Sequence, residues 1–293
     1  RSSDLADAAL RDFALHTAPV AIHATDRHRL ALSATATTRG IDAESAARAA
    51  HWVDPDALSA PYAGLIEARR LSFDQDAGAG RLRLTSAASD PDSAAEGRYA
   101  AAAYALRAGP AGLVAEMGLL EERGAMLGAR GYGAFATDMR TRTRFARLAG
   151  TVALDAATRV HVAASTGTSE MRSRGLLRDG AIDTTSLAAG VSRTGLLSDR
   201  DTLTMGVSRR LSVAGGRLDL DLPDAMVASD GGARSTGVVR RTDSVALAAA
   251  AAPVALQAGY TTPAWGGNAR LGAHWTPEET RFPAVGAGLS WAF

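Results

Sequence analysis

The chain has 293 residues and a net charge of +1, contains no cysteine, and carries arginine at every basic position. The near balance of charge gives no strong pull toward nucleic acid. The lack of cysteine excludes disulfides, thiolate-held metals or clusters, and thiol nucleophiles. No stretch reaches the ~18 apolar residues of a membrane helix, although strands that alternate lipid-facing and lumen-facing residues would average to a similarly neutral composition.

In chain order, Asp4 to Leu15 has helical spacing, with Leu5, Ala8, Ala9, Asp12 and Phe13 on one stripe and Ser3 or Asp4 as cap. Arg1-Ser2-Ser3-Asp4 leads into that polar helix rather than an apolar leader, so the chain reads as the C-terminal piece of something longer. A short strand is expected around Leu30 and Leu32. A second helix is expected over Ala43 to Val53, ended by Asp54-Pro55. Short strands follow at Leu71/Phe73 and Leu82/Leu84, then a Ser/Asp/Pro loop over Ala87–Gly97.

From there the apolar residues recur at every second position, which means strands. The predicted strands are Leu113–Leu119, Arg144–Leu154, Val160–Thr166, Leu187–Val191, Leu203–Val207, Leu218–Leu222, Val245–Ala251, Val254–Tyr260, Ala269–Trp275 and Gly286–Phe293. Several reach the ~9–11 residues that cross a bilayer at a tilt. Short links are expected at Asp155–Ala157, Ala214–Gly216, Ala252–Pro253 and Ala264–Gly267, and longer polar ones at Glu170–Asp183, Pro223–Arg240 and Pro277–Pro283. Short periplasmic turns and long outer loops are a barrel's habit, but Ala264–Gly267 does not sort cleanly with the other short links.

The last strand is the most telling. Ala287, Leu289, Trp291 and Phe293 share one face, and small or polar Gly286, Gly288 and Ser290 share the other. A bilayer core offers no hydrogen-bond partners, so every backbone group must pair inside the protein, and a closed barrel achieves this. An alternating last strand that ends in an aromatic residue is the form bacterial outer-membrane barrels present to their assembly machinery. The pattern predicts an all-β transmembrane antiparallel barrel of about 12 strands. A short N-terminal helix would enter or plug the lumen, with residues 1–27 as linker and helix and 28–293 as the barrel. A low aromatic content of 5% leaves the usual Tyr and Trp girdles thin.

Alternation gives the candidate lumen lining: Glu116, Arg147, Arg159, His161, Asp219, Asp221, Arg270 and His274. The bland reading of this charged set is a salt-bridged interior. The sharper one is a channel that holds the N-terminal helix through Asp4, Asp7 and Asp12. His161 and His274 lack a G-x-S-x-G elbow elsewhere in the chain, so no catalytic residue is assigned. His23, His28 and His51 lack metal-ligand spacing, so no metal is assigned. The glycines of Gly128–Gly133 have the wrong order for a phosphate loop and lie between strands, so no cofactor is expected.

The run Met117-Gly118-Leu119-Leu120-Glu121-Glu122-Arg123-Gly124-Ala125-Met126-Leu127-Gly128-Ala129-Arg130-Gly131-Tyr132-Gly133-Ala134-Phe135 resembles a segment of the C-terminal barrel of autotransporters that carry subtilase-type serine protease passengers. Segments similar to that family follow in order: Thr141–Leu154, Gly175–Ala188, Asp201–Val213, where Arg210 stands in place of the family's usual proline, and Gly216–Pro223. Leu5–Phe13 and Asp26-Arg27-His28-Arg29-Leu30 resemble the family's entry into the barrel.

The resemblance implies a non-enzymatic translocator of type V secretion in the outer membrane. It would export and anchor its own N-terminal passenger, a protease whose Asp, His and Ser motifs do not occur here. Its implied partners are outer-membrane lipid, the barrel assembly machinery and that passenger. It would be a monomer that binds no nucleic acid. The alternatives are a free-standing outer-membrane pore or small barrel without a passenger, and a soluble β-rich hydrolase.

Overall fold

Alternating apolar and polar residues become extended strands that hydrogen-bond to their neighbours in antiparallel ladders. The computed structural model describes residues 20–25, 28–34, 62, 65, 68–89, 96–130, 138–227, 237–249, 254–264, 267–276 and 284–290. Among them there are strands and no helix. The strands are β1 (Val20–Thr25), β2 (His28–Ala34), β3 (Ala68–Ala77), β4 (Gly80–Ser89), β5 (Glu96–Ala108), β6 (Ala111–Arg123), β7 (Ala125–Met126) and β8 (Ala129–Arg130). They continue with β9 (Arg140–Ala153), β10 (Thr158–Arg172), β11 (Leu177–Thr194), β12 (Thr202–Val227), β13 (Gly237–Leu247), β14 (Val254–Ala264), β15 (Gly267–Trp275) and β16 (Ala284–Ser290).

All but β7 and β8 join one 14-stranded sheet in the order β1-β2-β3-β4-β5-β6-β9-β10-β11-β12-β14-β15-β16, with β13 also paired to β12. β7 and β8 form a separate small hairpin. Every pairing is antiparallel and follows chain order, β6 reaching β9 past the small β7–β8 hairpin and β12 pairing with both β13 and β14. The sheet is therefore a meander, and no connection has to cross it.

The ladders of β12 correct one expected turn. Ala214–Gly216 does not reverse the chain, because β12 runs straight through it for 26 residues. One register shift against β11, between Asp183 and Thr184, falls here with Ala214 as the extra residue, and a second, between Thr185 and Leu187, falls at Arg210-Leu211. Gly216 takes a φ of +144° that side chains rarely adopt. The backbone glycine that suggested a turn is spent on a bulge.

β13 and β14 then pair with the two halves of β12. As β12 advances from Arg209 to Gly216, its partner steps back from Val254 to Leu247 by the same number of residues. They lie along β12 in a single register and count as one pass. The meander from β2 to β16 therefore makes twelve passes.

Other expectations shift in length. Glu170–Asp183 is mostly strand, since β10 continues to Arg172 and β11 starts at Leu177. The Ala87–Gly97 loop shrinks, because Ala87 to Ser89 belongs to β4 and Glu96-Gly97 to β5. Strands β1 and β5 had no clear sequence signal; β5 reads RYAAAAYALRA after its first two residues, and alanine on both faces erases the alternation. β12 extends past Pro223 to Val227 and β13 begins at Gly237, within the expected Pro223–Arg240 loop. The helices expected at Asp4–Leu15 and Ala43–Val53, the Pro277–Pro283 loop and the Ala252–Pro253 link lie outside the described residues.

Once these corrections are made, the connections sort by end. Spans 26–27, 78–79, 109–110, 154–157, 195–201 and 265–266 fall at one end of the sheet. Spans 35–67, 90–95, 124–139, 173–176, 228–236 and 276–283 fall at the other, and they are longer on the whole. The Ala264–Gly267 link, which did not sort in the sequence, joins Asp155–Ala157 at the short end once Ala214–Gly216 is no longer a turn.

The two faces also differ. Leu84, Tyr104, Leu113, Met117, Leu148, Val152, Val162, Leu187, Val191, Met205, Val207, Leu256, Leu271 and Trp275 are exposed on one of them, the outer face. The other face is sheltered. In β9 it carries Thr141, Thr143 and Phe145, all buried, while Arg140, Arg142, Arg144, Ala146 and Leu148 between them are exposed.

Candidate functional site

The sheltered face is built around three aromatic rings. Phe145 of β9 lies between Tyr62 and Tyr99, with ring centroids 4.5 Å and 5.6 Å away and the planes tilted by only 15° and 20°. Gly118 on the neighbouring β6 leaves room for the Phe145 ring, which a β-carbon there would overlap. Leu120 and Ala87 complete the buried cluster, and Leu65, Ala101, Leu127 and Leu211 pack against it.

Tyr62 does not belong to a strand. It comes from the connection between β2 and β3, yet it is 1% exposed and its hydroxyl is 2.9 Å from Thr184 Oγ1 of β11. It also fills the space over Gly167 of β10, where a side chain would strike its ring.

Hydroxyl pairs surround the rings. Thr143 and Ser169 are 2.8 Å apart, and Ser165 and Ser186 are 2.6 Å apart, each pair bridging adjacent strands. Thr184 also donates to the Gly167 carbonyl. Farther toward the end with the short connections, His161 Nε2 is 2.8 Å from Ser192 Oγ. These bonds satisfy polar side chains that would otherwise cost free energy when buried.

An ion pair closes the group. Arg147 donates from Nη1 to Glu116 Oε2 at 2.7 Å, with side chains 11% and 10% exposed. The Tyr99 hydroxyl donates to the other Glu116 oxygen at 2.6 Å. Arg147 Nε is buried with no partner among the described residues.

Toward the end with the longer connections, Glu122 is 3% exposed. It accepts hydrogen bonds from the Leu127 and Gly128 amides, both at 2.8 Å, and from the Thr141 hydroxyl. The carboxylate thus folds the β7–β8 hairpin back over the sheltered face, and Leu127 takes a φ of +52° to make the bend. The Leu65 carbonyl and side chain lie against Gly128 there. Two connections from the same end therefore meet over the aromatic cluster.

At the opposite end, two aspartates organise turns. Asp155 accepts from the Ala157 and Thr158 amides, and these bonds hold its carboxyl below the usual range. Asp201 is enclosed by its own turn. Burial there opposes ionisation, but the amides of Leu197, Leu196 and Ser198 and the Tyr260 hydroxyl outweigh it, and its pKa falls to about 2.

The structure brings together only part of the set read from the sequence. Glu116 and Arg147 are ion-paired, and His161 shares their face. Arg159 follows the same alternation but is exposed at the strand's end. Asp219 and Asp221 stand elsewhere. The register of β12 pairs Asp219 with Asp179, so both sit on the outer face, while Leu218 takes the sheltered side over Gly180. Asp219 accepts from Ser244, and Asp221 pairs with Arg240 at 3.3 Å. The misplacement follows from the supposed turn at Ala214–Gly216, which detached the phase of Leu218–Leu222 from that of Leu203–Val207.

Arg270 and His274 occupy β15 opposite Thr261 and Gln257. Ala287 and Leu289 occupy β16 opposite Leu271 and Ala269. Trp291 and Phe293 lie outside the described residues.

Sequence reading missed Tyr62, Glu122 and Asp201. No periodicity marks Tyr62 or Asp201, which lie in connections, and the strand expected over Leu113–Leu119 stopped short of Glu122, which lies in β6. Among the described residues no group of three or more His, Asp or Glu could hold a metal. Compared with family models, curated proteins and solved structures, the chain matches none.

Proposed function

We propose that the chain is the translocation and anchoring barrel of a bacterial autotransporter, set in the outer membrane and without catalysis of its own. Exposed apolar side chains line the outer face from β3 to β15, while hydroxyls, an ion pair and carboxylates occupy the sheltered face. That inside-out distribution carries the reading. A soluble sheet of this size would leave an apolar patch far beyond the few hundred Å² that water tolerates, and a bilayer covers it.

Three further observations support a closed barrel. The short connections share one end and the longer ones the other, as periplasmic turns and outer loops do. The twelve passes from β2 to β16 leave these two strands antiparallel, the relation needed for closure; β1, which pairs with the free edge of β2, would have to leave it.

The third support is the reach of Tyr62. Thr184 lies six strands along from β3 in the sheet order, about 29 Å across a flat sheet. The chain from Tyr62 to Ala68 can span only about 20 Å fully extended. The side chains of Tyr62 and Thr184 with their hydrogen bond add about 10 Å, so on a flat sheet the contact would need the connection fully stretched, whereas a sheet curved around Tyr62 leaves it slack.

In this reading the polar lumen gives the passenger's linker a path across the membrane, the apolar band anchors the product, and assembly machinery recognises the last strand. The resemblance of Met117–Phe135 supports a protease as passenger. The folded chain should require detergent and should migrate faster on a gel before boiling than after. A chain that purifies as a monomer without detergent would refute the proposal.

A further inference from the structure

On the outer face the strands continue past the apolar band. The outward residues of β9 read Val152, Gly150, Leu148 and Ala146, then Arg144, Arg142 and Arg140. The border falls toward the end with the longer connections, and the same change from apolar to charged occurs on β6 after Leu119 and on β5 at Arg98.

Just past the border, charges alternate from strand to strand. Arg98, Glu121, Arg142 and Glu170 stand side by side in register. Arg142 pairs with Glu121 at 3.5 Å, and Arg144 with Glu170 at 3.2 Å.

One row farther out the alternation fails. The order is Glu96, Arg123, Arg140, Arg172, Asp179. Arg123 pairs with Glu96 at 3.3 Å. Arg140 has an arginine directly opposite on each side, an arrangement that destabilises a ladder when nothing lies between the charges. With strands ~4.8 Å apart, the three guanidinium groups cover a row about 10 Å long. Guanidinium groups bind phosphate through paired, charge-assisted hydrogen bonds.

We infer that Arg123, Arg140 and Arg172 form a binding site for the headgroup of a bisphosphorylated lipid, whose acyl chains lie on the apolar band at Leu119, Ala146 and Leu148. This inference rests on the membrane reading above. Charge complementarity selects the ligand: the phosphates meet the stretch of the row from Arg123 to Arg172, where no carboxylate stands between the arginines although Glu96 and Asp179 flank them, and the apolar band directly beneath accepts the hydrocarbon.

The test uses the full chain folded in a neutral detergent, with diphosphoryl lipid A or phosphatidylethanolamine added and retained lipid counted by native mass spectrometry. The diphosphoryl lipid should be retained selectively. Each arginine removed should weaken retention about five-fold. Arg140→Gln should show that loss, Arg140→Lys should keep most of the binding, and the triple Arg123→Gln/Arg140→Gln/Arg172→Gln variant should lose about a hundred-fold.

Arg200→Gln, at the opposite end, should bind as the parent does. Heat-modifiable migration checks that each variant is folded, and the two single Arg140 variants decide the matter if the triple variant is not. Equal retention of both lipids, or of the diphosphoryl lipid by parent and Arg140→Gln, would overturn the site while leaving the barrel intact. A chain that never associates with detergent would refute the membrane reading, and the lipid site with it.

Discussion

Along β9 the sheltered face carries Thr141, Thr143, Phe145 and Arg147, and the outer face carries Arg144, Ala146, Leu148 and Val152. Both faces belong to one strand, with the same backbone and the same ladder partners on β6 and β10. The first face satisfies its polar groups one by one, through Ser169 for Thr143 and Glu116 for Arg147, and packs an aromatic stack among them. The second makes no such arrangements over its apolar stretch, where Leu148 is 53% exposed. On the proposed reading, what differs is the medium each face meets. Specific partners matter on one side, and transfer free energy alone decides on the other.

The largest effect should come from breaking the sheltered face at its centre. Phe145→Ala removes the ring between Tyr62 and Tyr99 and leaves Gly118 uncovered. It should cost about 3–5 kcal/mol, seen as a lower midpoint for unfolding in detergent. A loss below about 1 kcal/mol would mean that the cluster is not a packed core.

The outer face should respond to charge rather than to volume. Leu148→Arg should cost about 2–4 kcal/mol when the chain is folded into lipid vesicles. At an exposed site in water, such a change normally falls within about 0.5 kcal/mol. The size of this one number therefore separates a lipid-facing strand from a wet one.

A finer contrast concerns the Tyr62 hydroxyl. Tyr62→Phe keeps the stack on Phe145 and removes the hydroxyl with its bonds to Thr184 and Ser165. It should cost about 1 kcal/mol in the same unfolding experiment, which is far less than loss of the ring.

The smallest effect is confined to the turn at 195–201. With its pKa near 2 in the folded chain, Asp201 stabilises the turn fully above pH ~4 and loses that contribution as the pH falls toward 2. A chemical-shift titration of its carboxyl should find the midpoint near 2 rather than near the ordinary aspartate value. The β12 ladder beyond the turn should be unaffected.

Much of the sheet was legible because apolar residues gathered on one face impose a period of two, as in Val160–Thr166 and Ala269–Trp275. β5 was not, because its alanines serve either face equally. Ala214–Gly216 was misread because glycine marks both a reversal and a bulge, and only the partner strand tells them apart. That one error also carried Asp219 and Asp221 to the wrong face.

The Glu116–Arg147 pair was readable as two charges in the polar phase of adjacent strands. Tyr62 was not. Its place depends on how the β2–β3 connection returns across the sheet, a long-range fact that no local pattern encodes. Glu122 and Asp201 bind the amides of bends, and a carboxylate near the end of a strand is too common to single out.

The most direct test uses the absence of native cysteine. Single cysteines placed along β9 from Arg147 to Val152 can each be spin-labelled and the chain folded into lipid vesicles. Accessibility to oxygen, which concentrates in the bilayer, and to a water-soluble nickel complex is then measured at each position. A period of two is predicted, with oxygen access highest at positions 148, 150 and 152 and lowest at 147, 149 and 151. High nickel access at positions 148 and 152, or no alternation at all, would show that the outer face meets water and would contradict the membrane barrel.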